Sequence, residues 1–184
     1  MTPAGRFGRW ARLGGEIGSG AAASCAALAA ARPSYDVLAF EVWRPGVASS
    51  LTRLEAAGAT NVRLIQVDSV WSMKHLFVSG SIVELWTLFP DPWPKKRHHK
   101  RRLLQASFVH ALAERLAPGG YLHVATDWTP YADEMLQVLD AEPLLRNTAN
   151  GLAERPAWRP QTKFETRGLR LGHEVRDLVF EASG

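Results

Sequence analysis

A carboxylate caught between two prolines at the end of an apolar run constrains this chain more than any other feature. In Phe89-Pro90-Asp91-Pro92-Trp93-Pro94 the apolar residues from Leu85 to Phe89 lead straight into prolines, which can continue neither a sheet ladder nor a helix. The chain must therefore leave a strand as a stiff turn, and that turn decides where Asp91 points. Immediately afterwards, Lys95 to Arg102 carries six Lys or Arg and two His with no apolar residue among them. A solvated helix face interleaves its charges with apolar positions. This run does not, and helical spacing resumes only at Leu103. A rigidly held carboxylate beside a cationic belt points to chemistry on a polyanion; a solvated strand-to-helix loop is the competing reading.

The distribution of charge favours the first. The belt contributes +6 to a chain whose net charge is +4, which leaves the rest of the molecule at −2. Basicity is thus a patch, as expected for a phosphate-bearing partner docking at one place. With 184 residues, the chain is long enough for one α/β domain with a proper core and short for two. A single domain over 1–184 is expected, with 1–12, rich in Gly and Arg, as a loose arm. The lone Cys25 excludes an intrachain disulfide and a cysteine zinc site, and the adjacent His98 and His99 lack the spacing of a metal pair. No metal and no membrane span are expected. Ala22-Ala23-Ser24-Cys25 after Arg6, Arg9 and Arg12 faintly resembles a lipoprotein leader, but Glu16, Gly18 and Gly20 interrupt the apolar stretch such a leader needs. A cytoplasmic protein is expected.

Read in order, strands and helices alternate. Glu16-Ile17-Gly18-Ser19-Gly20 precedes an Ala-rich helix over 21–31 that Pro33 closes; glycines between a strand and a helix let a ligand approach the backbone, although Leu13-Gly14-Gly15 makes a poor strand before them. A buried strand over 35–42 carries Glu41 at its end, and Pro45 opens a helix that Gly58 closes. A third strand over 61–67 ends in Asp68, and a fourth over 82–89 is the expected sheet centre. Leu104, Phe108, Ala111, Leu112 and Leu116 then recur at helical spacing until Pro118-Gly119-Gly120. A fifth strand over 121–125 leads to Asp127, which is not needed as a helix cap because Thr129-Pro130 supplies one. It is expected as a free carboxylate on the edge that also bears Asp91. Residues 142–160 read as a weak strand and surface loop, and 175–181 as the last strand. Glu16, Glu41 and Asp68 would thus line one edge at the carboxyl ends of the strands, where open α/β sheets bind their ligands.

Taken together, Phe89-Pro90-Asp91-Pro92-Trp93-Pro94-Lys95, Arg97-His98-His99-Lys100-Arg101-Arg102, Ala125-Thr126-Asp127-Trp128, Thr162-Lys163-Phe164-Glu165 and Arg170-Leu171-Gly172-His173 resemble the bacterial tRNA (guanine-N7)-methyltransferase family. The resemblance covers the chain from Glu16 onward. It implies the class I methyltransferase fold: an α/β three-layer sandwich, doubly wound around a seven-stranded, mostly parallel sheet whose last strand is antiparallel. It further implies S-adenosylmethionine as cofactor and methylation of a variable-loop guanine in tRNA. By the same resemblance, Glu16, Gly18, Gly20, Glu41, Asp68 and Asp91 would contact the cofactor, and Asp91 would be catalytic. Lys95, Asp127, Thr162, Lys163, Phe164 and Glu165 would contact substrate, and Arg97, His98, His99, Lys100, Arg101 and Arg102 the RNA. Trp93 or Trp128 would stack on the displaced base. The chain departs from the family at Ala22, where a third glycine is usual, at Ala23, where an acid is usual, and in its glycine-bearing first strand. These departures give a second reading, a non-catalytic tRNA-binding protein with impaired cofactor binding. A methyltransferase with another acceptor is a third, which the Thr162 to Glu165 motif disfavours. Monomer and homodimer are both compatible with the sequence.

Overall fold

The computed structural model describes residues 7–183. Its strands are β1 (Arg12–Ile17), β2 (Tyr35–Phe40), β3 (Val62–Ile65), β4 (Ile82–Leu88), β5 (Leu116–Thr126), β6 (Leu145–Asn147) and β7 (Arg176–Ala182). They form one sheet in the order β3-β2-β1-β4-β5-β7-β6. The first five pair in parallel, and β7 runs antiparallel to both β5 and β6. The helices are α1 (Ala23–Ala31), α2 (Arg44–Ala56), α3 (Ser69–His75), α4 (Ala106–Arg115), α5 (Thr129–Asp140) and α6 (Lys163–Arg170). This is the class I methyltransferase arrangement expected from the sequence.

Alternation along the buried strands splits the core into two layers. Leu13, Ile17, Leu38, Phe40, Leu85 and Leu122 pack with Met73 of α3, Phe108 and Leu112 of α4, and Met135 and Leu139 of α5. On the opposite face Val37, Ala39, Trp86, Leu88 and Ala125 meet Cys25 and Leu28 of α1, Leu54 of α2, and Trp158 from the segment before α6. The chain winds outward from β1 to β3 on one side and then returns to place β4 on the other side of β1. A crevice therefore opens between the ends of β1 and β4, the topological switch point where such sheets hold ligands.

Several expectations change on contact with the structure. The glycines that made 13–15 look like a poor strand are required there: β1 is regular and buried throughout its interior, and Gly14 and Gly15 make room for Trp86, Leu85 and Phe40. The expected loose arm falls partly on residues 1–6, outside the described residues; within the remainder, Arg9 pairs with Asp36 at 2.7 Å and donates to the carbonyls of Pro33 and Tyr35, so 7–11 are tied to the sheet. No helix starts at Leu103. Lys96–Arg101 forms a 3-10 turn, and α4 begins only at Ala106. Pro118-Gly119-Gly120 lies within β5 rather than before it, as an irregularity in its pairing with β4, where Gly120 has no room for a β-carbon between backbone carbonyls. Thr162 to Glu165, which the sequence offered only as a motif, opens α6, with the Thr162 hydroxyl accepting from Glu165 N at 3.1 Å. The Thr-x-x-Glu spacing is a helix-start signature in its own right.

Candidate active site

The loop after β1 is held by both β2 and α2. Gly18 N and Ser19 N donate to the Phe40 carbonyl, each at 3.0 Å. Ser50 of α2 donates to the Gly20 carbonyl at 2.8 Å, and Arg53 to that of Ala21 at 3.0 Å. Gly18 and Gly20 have φ of 72° and 57°, and a β-carbon on either would meet nothing within 4 Å. Their glycine character is thus a matter of backbone conformation, and the empty space beside them is the crevice. Ala22 also sits in the left-handed region, at φ 53°, yet its methyl is fully buried against α1 and does not line the crevice. The departure from the family pattern costs local conformation and leaves the ligand's space untouched.

Gly18, Gly20, Glu41, Asp68, Asp91 and Phe164 are among the residues enclosing a cavity of about 740 Å³ at the switch point, a volume suited to a small organic ligand. Glu41 is already engaged: its two oxygens accept from Gly20 N at 2.8 Å and Trp43 N at 2.7 Å. This ties the glycine loop to the end of β2. Each oxygen keeps a second lone pair for a hydroxyl. Asp68 lies three residues beyond the short β3 and caps α3 by accepting from Trp71 N at 2.8 Å. Asp91 is exposed at the cavity wall and has no hydrogen-bond partner among the described residues. The turn that presents it has Phe89 and Trp93 in the left-handed region, at φ 55° and 43°, and Phe89 N is anchored to the Ala125 carbonyl at 2.7 Å.

Glu16 is the exception among the edge carboxylates. It lies beneath the loop, outside the cavity lining and closed to solvent, where it accepts from the Ser24 hydroxyl. Burial raises its pKa to about 8, against the lowering effect of the Ser24 and Cys25 hydrogen bonds, so the carboxyl is protonated at neutral pH. As placed, it supports the glycine loop from below.

On the substrate side the structure separates residues that the sequence had grouped. Lys95, Lys96, Arg97, Lys100 and Arg101 are exposed, with His98 edge-on to Trp93 at 5.8 Å and Arg101 over the same indole at 5.0 Å. His99 lies 3.9 Å from Glu134. Arg102 instead is buried and pairs with Glu134. Asp127 is not free: it accepts from His173 Nδ1 at 3.0 Å and presses so closely on α6 that a β-carbon on Gly168 would lie 2.4 Å from its Oδ2. Of the Thr162 to Glu165 group, Lys163 and Phe164 reach the cavity, Thr162 is the helix cap, and Glu165 is buried. Two nitrogens of Arg159 grip Glu165 at 2.6 and 3.1 Å, and the same guanidinium holds Asp177 at 2.7 Å. Trp93 lines the cavity, whereas Trp128 packs against the core. Arg159, Gly168 and the Asp127–His173 pair were not singled out from the sequence. The glycine in the middle of a charged helix was the one legible hint.

A family model described as "Putative methyltransferase" matches residues 12–178. The whole chain is 56% identical to a tRNA (guanine-N(7)-)-methyltransferase of Nocardioides sp., covering 73% of that protein. It is also 56% identical over 98% of its length to the enzyme of that name from Bordetella pertussis, covering 71% of it. Among solved structures, a SAM-dependent methyltransferase from Aquifex aeolicus superposes with a TM-score of 0.65 at 12% identity, over 93% of this chain and 82% of that one; at that identity the likeness concerns the fold. Among the described residues there is no cluster of three or more His, Cys, Asp or Glu suited to a metal, and no helix long and apolar enough to cross a membrane.

Proposed function

Since the chain belongs to the tRNA (guanine-N7)-methyltransferase family, we propose that it transfers a methyl group from S-adenosylmethionine to N7 of a guanine in tRNA, in the cytoplasm, as one domain organised around the seven-stranded sheet. The observation that carries this reading is the position of Asp91: an exposed carboxylate on a strained turn, in the wall of a cavity that also takes in the glycine loop and Glu41.

The residues present fit the cofactor. Gly18 and Gly20 leave open space, while a β-carbon on Gly46 would crowd Glu41 Cγ, the Gly20 carbonyl and the Trp43 ring, each 3.1 Å from it. Glu41 would hold the ribose hydroxyls, Asp68 the adenine side, and Val42, Trp43 and Val67 the apolar faces. The cofactor supplies an electrophilic methyl on a sulfonium. Guanine N7 has its own lone pair and loses no proton, so no general base is required, and the protein contributes positioning and electrostatics. Positive charge moves onto the purine during transfer, and Asp91 stabilises that charge more in the transition state than in the ground state. Trp93, on the cavity wall beneath Arg101, would stack on the displaced base. Lys163 and Phe164 close the same side, and the exposed cations from Lys95 to Arg101 neutralise the RNA backbone. No observation favours the non-catalytic reading, because Ala22 keeps its methyl out of the cavity and β1 is intact.

The test is methyl transfer to unmodified tRNA by the wild type and by Asp91→Asn. The Asn variant is expected to lose a hundredfold or more in kcat, on the order of 3 kcal/mol of transition-state stabilisation, with tRNA and S-adenosylmethionine affinities within about twofold of wild type. A wild-type rate in the Asn variant would remove Asp91 from the mechanism, and failure of the wild type to methylate tRNA would overturn the function.

A further inference from the structure

Among the six Lys and Arg of the basic belt, Arg102 has a different environment from the rest: it is 3% exposed, while the other five are exposed. Its Nε donates to the Pro92 carbonyl at 2.9 Å, its Nη1 pairs with Glu134 of α5, and its guanidinium lies 4.7 Å from the ring centroid of Tyr131 on the same helix. The Arg102 backbone N–H donates to the His99 carbonyl at 2.9 Å, closing the 3-10 turn, and the Tyr131 hydroxyl accepts from Leu104 N at 3.2 Å. One buried side chain thus joins the carbonyl of Pro92, the residue after Asp91, to α5. The other end of the turn is fixed by the Phe89 to Ala125 bond.

We propose that Arg102 is a positioning residue for methyl transfer, clamping the Asp91-Pro92 turn against Glu134 and Tyr131, rather than one of the cations that meet RNA phosphates. The inference rests on the reading of Asp91 given above. To reach a phosphate, the buried guanidinium would have to give up its ion pair with Glu134, its carbonyl and its aromatic face together. Held where it is, it satisfies the Pro92 carbonyl with a charge-assisted bond whose planar donor fixes direction as well as distance. A carboxylate acting on a developing charge needs that control, because small displacements from productive geometry lower the rate steeply.

The two roles predict different measurements. Arg102→Gln and Glu134→Gln are compared with wild type for kcat and KM on tRNA, for the salt dependence of tRNA binding, and for cooperative thermal unfolding. A positioning role predicts that kcat falls tenfold or more in Arg102→Gln and severalfold in Glu134→Gln, with KM and the log-log salt slope unchanged in both. Arg102→Lys should recover little, since a lysine cannot span the carbonyl and the carboxylate together. A salt slope flatter by about one unit in Arg102→Gln identifies a phosphate contact and overturns the proposal. Glu134→Gln keeps the test decisive if Arg102→Gln fails to fold, because Glu134 cannot itself meet a phosphate; a wild-type kcat in that variant also overturns the proposal. Methylation by the wild type, measured alongside, separates this outcome from failure of the proposed function, which would remove both.

Discussion

A β-carbon placed on Gly14 would lie 2.6 Å from the outer edge of the Trp86 indole, and 2.9 Å from the next ring atom. Gly14 is in β1 and Trp86 in β4, the two strands that flank the crevice, and Trp86 is fully buried. A residue type that weakens an isolated strand is therefore what lets the largest side chain of the core fill this layer.

Gly14→Ala is expected to destabilise the protein by about 1–3 kcal/mol, because a large ring hemmed in by α1 and Trp158 cannot yield cheaply. Thermal or urea unfolding measures it. An unchanged midpoint would mean that Trp86 has room to move.

Ala22→Gly tests the proposed cofactor role of the glycine loop. The substitution relieves a left-handed alanine and removes one buried methyl, two effects of about 1 kcal/mol each and of opposite sign. Stability should stay within about 1 kcal/mol of wild type, and S-adenosylmethionine affinity by calorimetry within about twofold. Tightening by tenfold would show that the methyl obstructs the cofactor after all.

Glu16 gives the fold a pH dependence. Its carboxyl titrates near 4.5 ordinarily and about 8 when buried in the native protein. Between those values the unfolded chain has released a proton that the folded chain retains, so unfolding is favoured progressively. The stabilisation is complete below pH 4.5 and is lost as pH rises to about 8. Glu16→Gln mimics the protonated form and keeps an acceptor for Ser24. Relative to wild type, it should gain stability steadily across that window, by as much as a few kcal/mol at the alkaline end. Urea midpoints at several pH values read this out, and a constant offset between the two proteins would contradict it.

Lys95, Arg97 and Lys100 are exposed, and no ion pair engages them among the described residues. Their combined replacement by Ala should weaken tRNA binding and flatten its log-log salt dependence by roughly one unit for every phosphate left without its cation, while S-adenosylmethionine affinity stays unchanged. An unaltered slope would return this segment to a solvated loop.

How much of this was legible in the sequence varies with the range of the interactions involved. Periodicity and punctuation located the parallel strands β2 to β5, the helix opened by Pro45 and the acids at Glu41, Asp68 and Asp91, because each depends on neighbours a few residues away. The features that escaped them depend on distant partners. Gly14 looked like a weakness until Trp86, three strands further along the chain, was set beside it. Arg102 could not be told from Arg101 by type or spacing; only Glu134 and Tyr131, a full helix and strand later, distinguish them. Asp127 looked free because His173 and Gly168 come from the last helix and the turn after it. Arg159, between two prolines in a segment without regular structure, gave no local sign that it would balance Glu165 and Asp177.

The turn around Asp91 has two non-glycine residues, Phe89 and Trp93, in a backbone region that disfavours them. Each costs on the order of 1 kcal/mol or more, and the cost is met by the Ala125 carbonyl, the Arg102 clamp and the burial of Phe89. The six residues from Phe89 to Pro94 are therefore not a portable motif. Excised as a peptide, or grafted onto another strand end, they would relax to extended conformers and lose the orientation of the carboxylate. Recognising the motif in an unrelated protein would then mean little unless a brace equivalent to Arg102 and Glu134 accompanied it.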